Sequence, residues 1–413
     1  MTKTGTVAII GASAAGVAAA RGLRALSFAG HIVLIDSDEH GSYERPPLSK
    51  RAIYEPDLEA KEISLMSDQE AEELQITTRY GYTVTKIEPQ LMRVCFSNGA
   101  PLKADYIVLA TGGRAQRLQL EGADSEGILT LRSFADAELI RRLGSEASRP
   151  TVIGGGLIGS ELVASLIEIG KRPYWLDAAK SPLAHTLPKP VADFLTDSLV
   201  MGGASLLSEC HIKKFLSHNG SVYAIELSNG VQIESDLVVM GVGMTPNIEL
   251  GRTSGLRIES GGVWTDASQR TSTPNILAAG DVAAVEDAAG NAFRSEHWRA
   301  AEHQGDVAAH TIMGAHPPMG SVEWFWSDQG KNHVEMVGQK GDTSILRRTE
   351  DAITAFEFQS GSLVGAASVN DRNSVRATIK MLELGASLSA DKLADPTEDL
   401  RRLVKKLKKQ EQV

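Results

Sequence analysis

At 413 residues the chain is too long for one hydrophobic core, and about 150 residues per domain implies two or three domains. A composition of 42% hydrophobic and 23% charged residues excludes a fibrous or disordered chain. A net charge of −10 excludes the basic face that a nucleic-acid binder carries.

The two cysteines, Cys95 and Cys210, form no CxxC pair, so a local redox dithiol, a zinc site and an iron–sulfur site are all excluded, and no metal is expected. They read as two thiols in a reducing compartment. No stretch approaches the roughly 18 apolar residues of a membrane span. The small-residue run near the start is broken by Ser13 and ends at Arg21, unlike a signal peptide. A cytoplasmic protein without membrane contact is expected.

In chain order, an apolar strand from Thr6 meets Gly11-Ala-Ser-Ala-Ala-Gly16 and then a helical run to about Leu26, followed by the strand Ile32-Val-Leu-Ile. The same succession returns at Pro150-Thr-Val-Ile, Gly154-Gly-Gly-Leu-Ile-Gly159, a helical run to about Ile169 and Tyr174-Trp-Leu. Each is a βαβ unit, and parallel sheets are expected. Between them the pattern predicts strands near Val84–Ile87 and Arg93–Phe96 and a strong one at Tyr106-Ile-Val-Leu-Ala110. Beyond the second unit it predicts Val222–Leu227, Val231–Glu234 and Leu237-Val-Val-Met. From about Ser321 short strands (Val334–Val337, Ser344–Arg347, Ala355–Phe358, Leu363–Ser368) precede a helix at about Arg372–Glu383, which reads as a separate α+β domain. The basic tail from Arg401 predicts a helix beginning after Pro396 with acids in its first turn. It is either a docking handle for an acidic partner or a solvated end.

The glycine patterns carry the chemistry. Each follows a strand, opens a helix, and has an acid about twenty residues further on: Asp36 after Gly16, Asp177 after Gly159. Glycine permits the tight turn and lets backbone N–H groups reach a pyrophosphate at the helix N-terminus, while the acid accepts ribose hydroxyls. Ser13 replaces the middle glycine of the first pattern; Gly156 keeps it in the second. Asp177 repels a 2′-phosphate, and neither Ala178 nor Ala179 offers an arginine to hold one, so NADH is expected over NADPH. Ala110-Thr111-Gly112-Gly closes one strand. Ala279-Gly280-Asp281 closes another, where two-domain flavoproteins use an aspartate on the ribityl chain of FAD.

With these residues in view, the sequence resembles the NADH-dependent ferredoxin reductases of bacterial oxygenase systems, over nearly its whole length. The resemblance is carried by Tyr43-Glu-Arg-Pro-Pro-Leu-Ser-Lys50, Ala110-Thr-Gly-Gly-Arg114, Gly154-Gly-Gly-Leu-Ile-Gly-Ser-Glu161, Gly243-Met-Thr-Pro-Asn247, Ala279-Gly-Asp281, Arg294-Ser-Glu-His-Trp298 and Trp324-Phe-Trp-Ser-Asp-Gln329. It implies an α/β fold with two Rossmann-like, glutathione-reductase-like dinucleotide-binding domains and a C-terminal α+β domain. The divisions are 1–113 with 244–320 for FAD, 114–243 for NADH, and 321–413.

It also implies that Lys50 lies near flavin N5 and pairs with Glu161, a carboxylate that a buried lysine needs. Trp298 and Trp326 match aromatic positions lining the isoalloxazine. Arg45 and Arg117 match arginines reaching FAD phosphates, although the second more often stands one residue earlier, where this chain has Gln116. The cofactor-binding set extends to Ala14, Ala15, Ser37, Val84, Leu157, Ile158, Gly243 and His297. Gly330 stands where the family usually has tyrosine.

The implied function is hydride transfer from NADH to FAD, then single electrons to an acidic two-iron two-sulfur ferredoxin feeding an oxygenase, in a monomer or homodimer. Basic residues around the flavin, the tail among them, would attract the ferredoxin. Two alternatives share the fold. An NADH oxidase, peroxidase or disulfide reductase needs a cysteine close to the flavin, and Gly41-Ser-Tyr-Glu-Arg-Pro-Pro has none. A redox-gated binding protein of the apoptosis-inducing-factor kind needs a long-lived reduced flavin.

Overall fold

The computed structural model describes residues 3–320 and 322–410; the division at Ser321 and the last three residues of the tail lie outside the described residues. The chain forms two units. The first is Met1–Pro47, Asp57–Arg114 and Met244–Gly320; the second is Leu48–Pro56, Ala115–Gly243 and Ser321–Val413.

The first unit is built on a parallel sheet in the order Ile276–Ala278, Tyr106–Leu109, Thr6–Ile10, His31–Ile35, Ile76–Arg79. Apart from the edge strand Ile76–Arg79, its strands are largely apolar and buried, as expected where both faces are covered. Side chains alternate along each strand. Val7, Ile9, Ile32, Leu34 and Val108 therefore meet Ala19, Ala20 and Leu23 of the helix Ala14–Ala25 and Ala308, Ala309 and Ile312 of the helix Trp298–Met313. Ala8, Ile10, Val33, Ile107 and Leu109 pack on the other side against Ile248, Val263 and Val282. Each fully buried valine, leucine or isoleucine here contributes about 1.5–3 kcal/mol.

The second unit repeats the plan with Pro150–Ile153 at the centre of a parallel sheet: Ser205–Leu207, Tyr174–Leu176, Pro150–Ile153, Leu237–Met240, Ile128–Thr130. The helix Leu157–Glu168 is apolar almost all round and is buried accordingly. The same unit contains a five-stranded antiparallel sheet, ordered Trp324–Gln329, Asn332–Gly338, Ser362–Val369, Ile353–Gln359, Thr343–Arg348. One face, with Val334, Met336, Ala355 and Ala367, packs against Val191 and Leu195 of the helix Lys189–Met201. The other, with Val337, Phe356 and Ala366, packs against Val375 and Met381 of the helix Arg372–Leu384.

Two details differ from the pattern in the sequence. The tail helix spans Leu400–Gln410, not the residues directly after Pro396. Asp399 stands ahead of it and accepts the Arg402 N–H at 3.1 Å, so the acid caps the helix instead of lying in its first turn. Leu400 and Val404 are buried in the same cluster as Phe356 and Met381, so this helix is part of the fold and not a solvated end. The short stretch Leu48–Pro56, which chain order places with the first unit, packs with the second. Among the described residues no helix is long and apolar enough to cross a membrane.

Candidate functional site

In the first unit the pattern Gly11–Gly16 turns tightly from strand to helix. A Cβ on Gly16 would overlap the Gly11 carbonyl oxygen and stand 3.0 Å from its carbon, so glycine is required by packing alone. Ser13 caps the helix with extended backbone (φ −97°, ψ −162°), yet its side chain makes no capping hydrogen bond, and no acid occupies the first turn. That leaves the helix N-terminus open to an anion. Asp36, at the end of the neighbouring strand, accepts the N–H groups of Ala12 at 2.7 Å and Asp38 at 2.9 Å. Ser37, beside it, is exposed.

Three motifs far apart in sequence converge on this helix. Ala14 and Ala15 of its first turn, Ala110 of the Ala-Thr-Gly turn, Ala279 of the Ala-Gly-Asp turn and Ala301 form one buried cluster, with Trp298 against it. Thr111 and Asn247 exchange two hydrogen bonds of 2.9 Å, which ties the Ala-Thr-Gly112 turn to the strand after Gly243. The Gly280 N–H donates to buried Gln304 Oε1 at 2.7 Å, setting the turn that carries Asp281. His297 is the N-cap residue of the helix that Trp298 begins. The Arg45 guanidinium lies over the Tyr43 ring, 5.7 Å from its centroid, and Val84 opens a three-stranded antiparallel sheet.

In the second unit, a Cβ on Gly159 would overlap the Gly154 carbonyl oxygen and stand 3.0 Å from its carbon, the same constraint as at Gly16. Gly156 caps the helix, again with no acid in the first turn, and a Cβ there would meet nothing within 4 Å. No neighbouring protein atom requires glycine there, which leaves room for a ligand to approach the backbone. Leu157 and Ile158 follow, and Ile158 is 46% exposed, unusual for a large apolar residue at a helix start. Asp177 ends the next strand and accepts the Ala179 N–H at 3.2 Å. Gly243 precedes the return to the first unit, and its carbonyl accepts the Gln116 N–H at 2.9 Å.

Lys50 and Glu161 form a buried ion pair, Nζ to Oε1 2.9 Å, with side chains 12% and 7% exposed. Ser327 donates to Glu161 Oε1 at 2.5 Å, and Ser49 donates to Oε2. A carboxylate taken out of water is tolerated only when its lone pairs are met in this way. The Lys50 segment is itself anchored. The Ser165 hydroxyl donates to Ser49 O at 2.7 Å, and Arg141 donates to Ala52 O and Glu55 O at 3.3 and 3.0 Å. One strand residue beyond Ser327, Asp328 bonds His333 at 2.5 Å across the hairpin. That bond, helped by Glu335, raises His333 to about 9, and it lowers Asp328, which also feels the Lys50 charge. Trp326 stacks on Trp324, ring centroids 5.2 Å apart. Gly330 opens the hairpin turn at φ +59°, a conformation that glycine adopts without strain.

Arg117, the second arginine anticipated at the cofactor, has its guanidinium engaged by backbone carbonyls. It donates to the carbonyls of Ala123 and Ile128 and so closes its own loop. The sequence pattern did not single out Ser49, Ser327, Gln304 or the Asp328–His333 pair. Ser49 and Ser327 stand inside the quoted motifs, and the hint was a small hydroxyl beside a motif lysine and directly after the motif aromatics.

Residues 5–305 match the family model for pyridine nucleotide-disulphide oxidoreductases, and residues 324–404 match that for the reductase C-terminal domain. The chain belongs to the pyridine nucleotide-disulphide oxidoreductase family. It is 33% identical to the 3-phenylpropionate/cinnamic acid dioxygenase ferredoxin–NAD(+) reductase component of Photorhabdus laumondii subsp. laumondii, over 91% of this chain and 96% of that one. It is 31% identical to rhodocoxin reductase of Rhodococcus erythropolis, over 96% and 93%. Among solved structures, the ferredoxin reductase for the CYP199A2 system of Rhodopseudomonas palustris matches with a TM-score of 0.90 at 29% identity, covering 97% of this chain and 99% of that one. The reductase of the covalent putidaredoxin reductase–putidaredoxin complex matches with 0.91 at 28% identity, covering 98% and 99%. As a member of this family the chain is an oxidoreductase that uses FAD and NAD(H). The two helix starts, with no side-chain capping bond and no acid in the first turn, fit two such dinucleotides.

Proposed function

We infer that this chain is an NADH-dependent ferredoxin reductase serving an oxygenase, with FAD on the Gly11–Gly16 pattern and NADH on the Gly154–Gly159 pattern. Bound FAD would supply the conversion of a two-electron hydride donor into single electrons. The chain's own residues bind and orient. The N-termini of the helices Ala14–Ala25 and Leu157–Glu168 receive the pyrophosphates, Asp36 and Asp177 the riboses, Asp281 the ribityl chain, Arg45 a phosphate, and Trp298 the ring system. The 1–113 and 244–320 stretches serve FAD, 114–243 serves NADH, and the C-terminal α+β domain serves the partner.

The observation that carries this reading is the buried Lys50–Glu161 pair. Ser49 and Ser327 hold Glu161, and Glu161 pairs with Lys50, which places a cation where it would favour added electron density on an acceptor beside it. Thiol chemistry has no comparable support. Cys95 lies on the antiparallel strand Arg93–Phe96. Burial pushes the Cys210 thiol up, which makes it a poor nucleophile.

The acceptor is a two-iron two-sulfur ferredoxin of acidic surface. Its docking bases include Arg401, Arg402, Lys405 and Lys406, exposed on the tail helix; the side chains of Lys408 and Lys409 lie outside the described residues. Two free thiols suit a cytoplasmic setting. The test is NADH-driven reduction of cytochrome c with and without ferredoxin. A rate that requires ferredoxin supports the assignment, and equal rates refute it. Added salt should raise the KM for ferredoxin, and a salt-independent KM removes the tail from the docking face.

A further inference from the structure

The two glycine patterns differ at the residue after their first glycine: Ala12 in one, Gly155 in the other. In the first, Asp36 is held by the Ala12 N–H at 2.7 Å, an arrangement that coexists with the alanine side chain. In the second, Asp177 lies on the loop itself. A Cβ on Gly155 would overlap Asp177 Oδ2 and stand 2.6 Å from its Cγ, with Pro182 Cα next at 3.1 Å. Gly155 has no positive φ, so its backbone does not demand glycine; the space does. The remaining Asp177 oxygen accepts the Ala179 N–H at 3.2 Å. The segment beyond is drawn over the loop by the Leu183 N–H, which donates to Gly155 O at 2.7 Å.

We propose that Gly155 is a specificity-determining positioning residue for NADH: its missing side chain lets the Asp177 carboxylate lie over the pyrophosphate loop, where it accepts the ribose hydroxyls and repels a 2′-phosphate. The proposal rests on the reading of Gly154–Gly159 as the NADH site. The atoms that a new methyl group would strike belong mainly to the free end of a short side chain. Gly155→Ala therefore turns the carboxylate away and leaves the fold standing.

The experiment is isothermal titration of NAD+ and of NADP+ into the FAD-loaded protein, comparing wild type, Gly155→Ala, Asp177→Ala and the double variant. Gly155→Ala is expected to weaken NAD+ about tenfold and to narrow the NAD+/NADP+ preference by a similar factor, the loss of one hydrogen bond to a charged group. In the Asp177→Ala background the same change should add nothing. Gly155→Ala binding like wild type, or adding its full loss on top of Asp177→Ala, overturns the proposal. Asp177→Ala leaving the NAD+/NADP+ ratio untouched overturns the site reading beneath it, a result visible without any Gly155 variant. Should Gly155→Ala not fold, rescue of folding by Asp177→Ala supports the clash with the carboxylate, and failure of rescue overturns it.

Discussion

The two glycine patterns are one solution written twice, and where they differ is instructive. At Gly16 and Gly159 an added Cβ would stand 3.0 Å from the carbonyl carbon of the pattern's own first glycine in both units, so the same turn imposes the same residue. At the helix cap the units part: Ser13 in one, and in the other Gly156 with 4 Å of open space around its missing side chain. Glycines that the backbone needs recur. Gly155 and Gly156, which that turn does not require, have Ala12 and Ser13 as their counterparts.

The largest expected effect lies on the Lys50–Glu161 pair of the second unit. Glu161→Ala strands the Lys50 ammonium in a buried setting, and chemical denaturation should show a loss of about 3–5 kcal/mol. A loss below about 1 kcal/mol would mean that Lys50 escapes to water. Next come the shared glycines. Gly16→Ala and Gly159→Ala should each cost about 2–3 kcal/mol by the same measurement. If one is tolerated and the other is not, the two turns are not equivalent. The caps sharpen the contrast: Gly156→Ala should change stability by under about 1 kcal/mol yet weaken NAD+ binding about tenfold by titration. Ser13→Gly should leave melting and FAD retention nearly unchanged.

A modest effect is that of pH on the Asp328–His333 pair. His333 is raised from 6.5 to about 9 in the folded protein, so its stabilisation is fully present below about pH 6.5 and is lost as pH rises through 9. Asp328 is 44% exposed, and solvent screening keeps the effect modest. Melting temperatures of wild type should fall relative to His333→Gln between pH 6.5 and 9. Parallel curves would remove the pair from the stability of the hairpin.

Much of the architecture was legible because it is local chemistry. The continuous apolar strands at Tyr106–Leu109 and Leu237–Met240, the glycine turns and the acids closing the next strands all follow from period and spacing within some thirty residues. The tail was half legible. Its helix followed from composition, but the burial of Leu400 and Val404 depended on the sheet face that receives them.

What the sequence by itself determined is therefore the pair of dinucleotide folds and the residue types at their turns, since strand burial and turn sterics act between near neighbours. Tertiary structure alone decided which groups complete the Lys50 site. Ser49 and Ser327 reach Glu161 across 112 and 166 residues of chain, and Leu48–Pro56 joins the second unit although it interrupts the first in sequence. A buried carboxylate must be satisfied by whatever donors packing brings to it, and no spacing rule reaches that far along the chain.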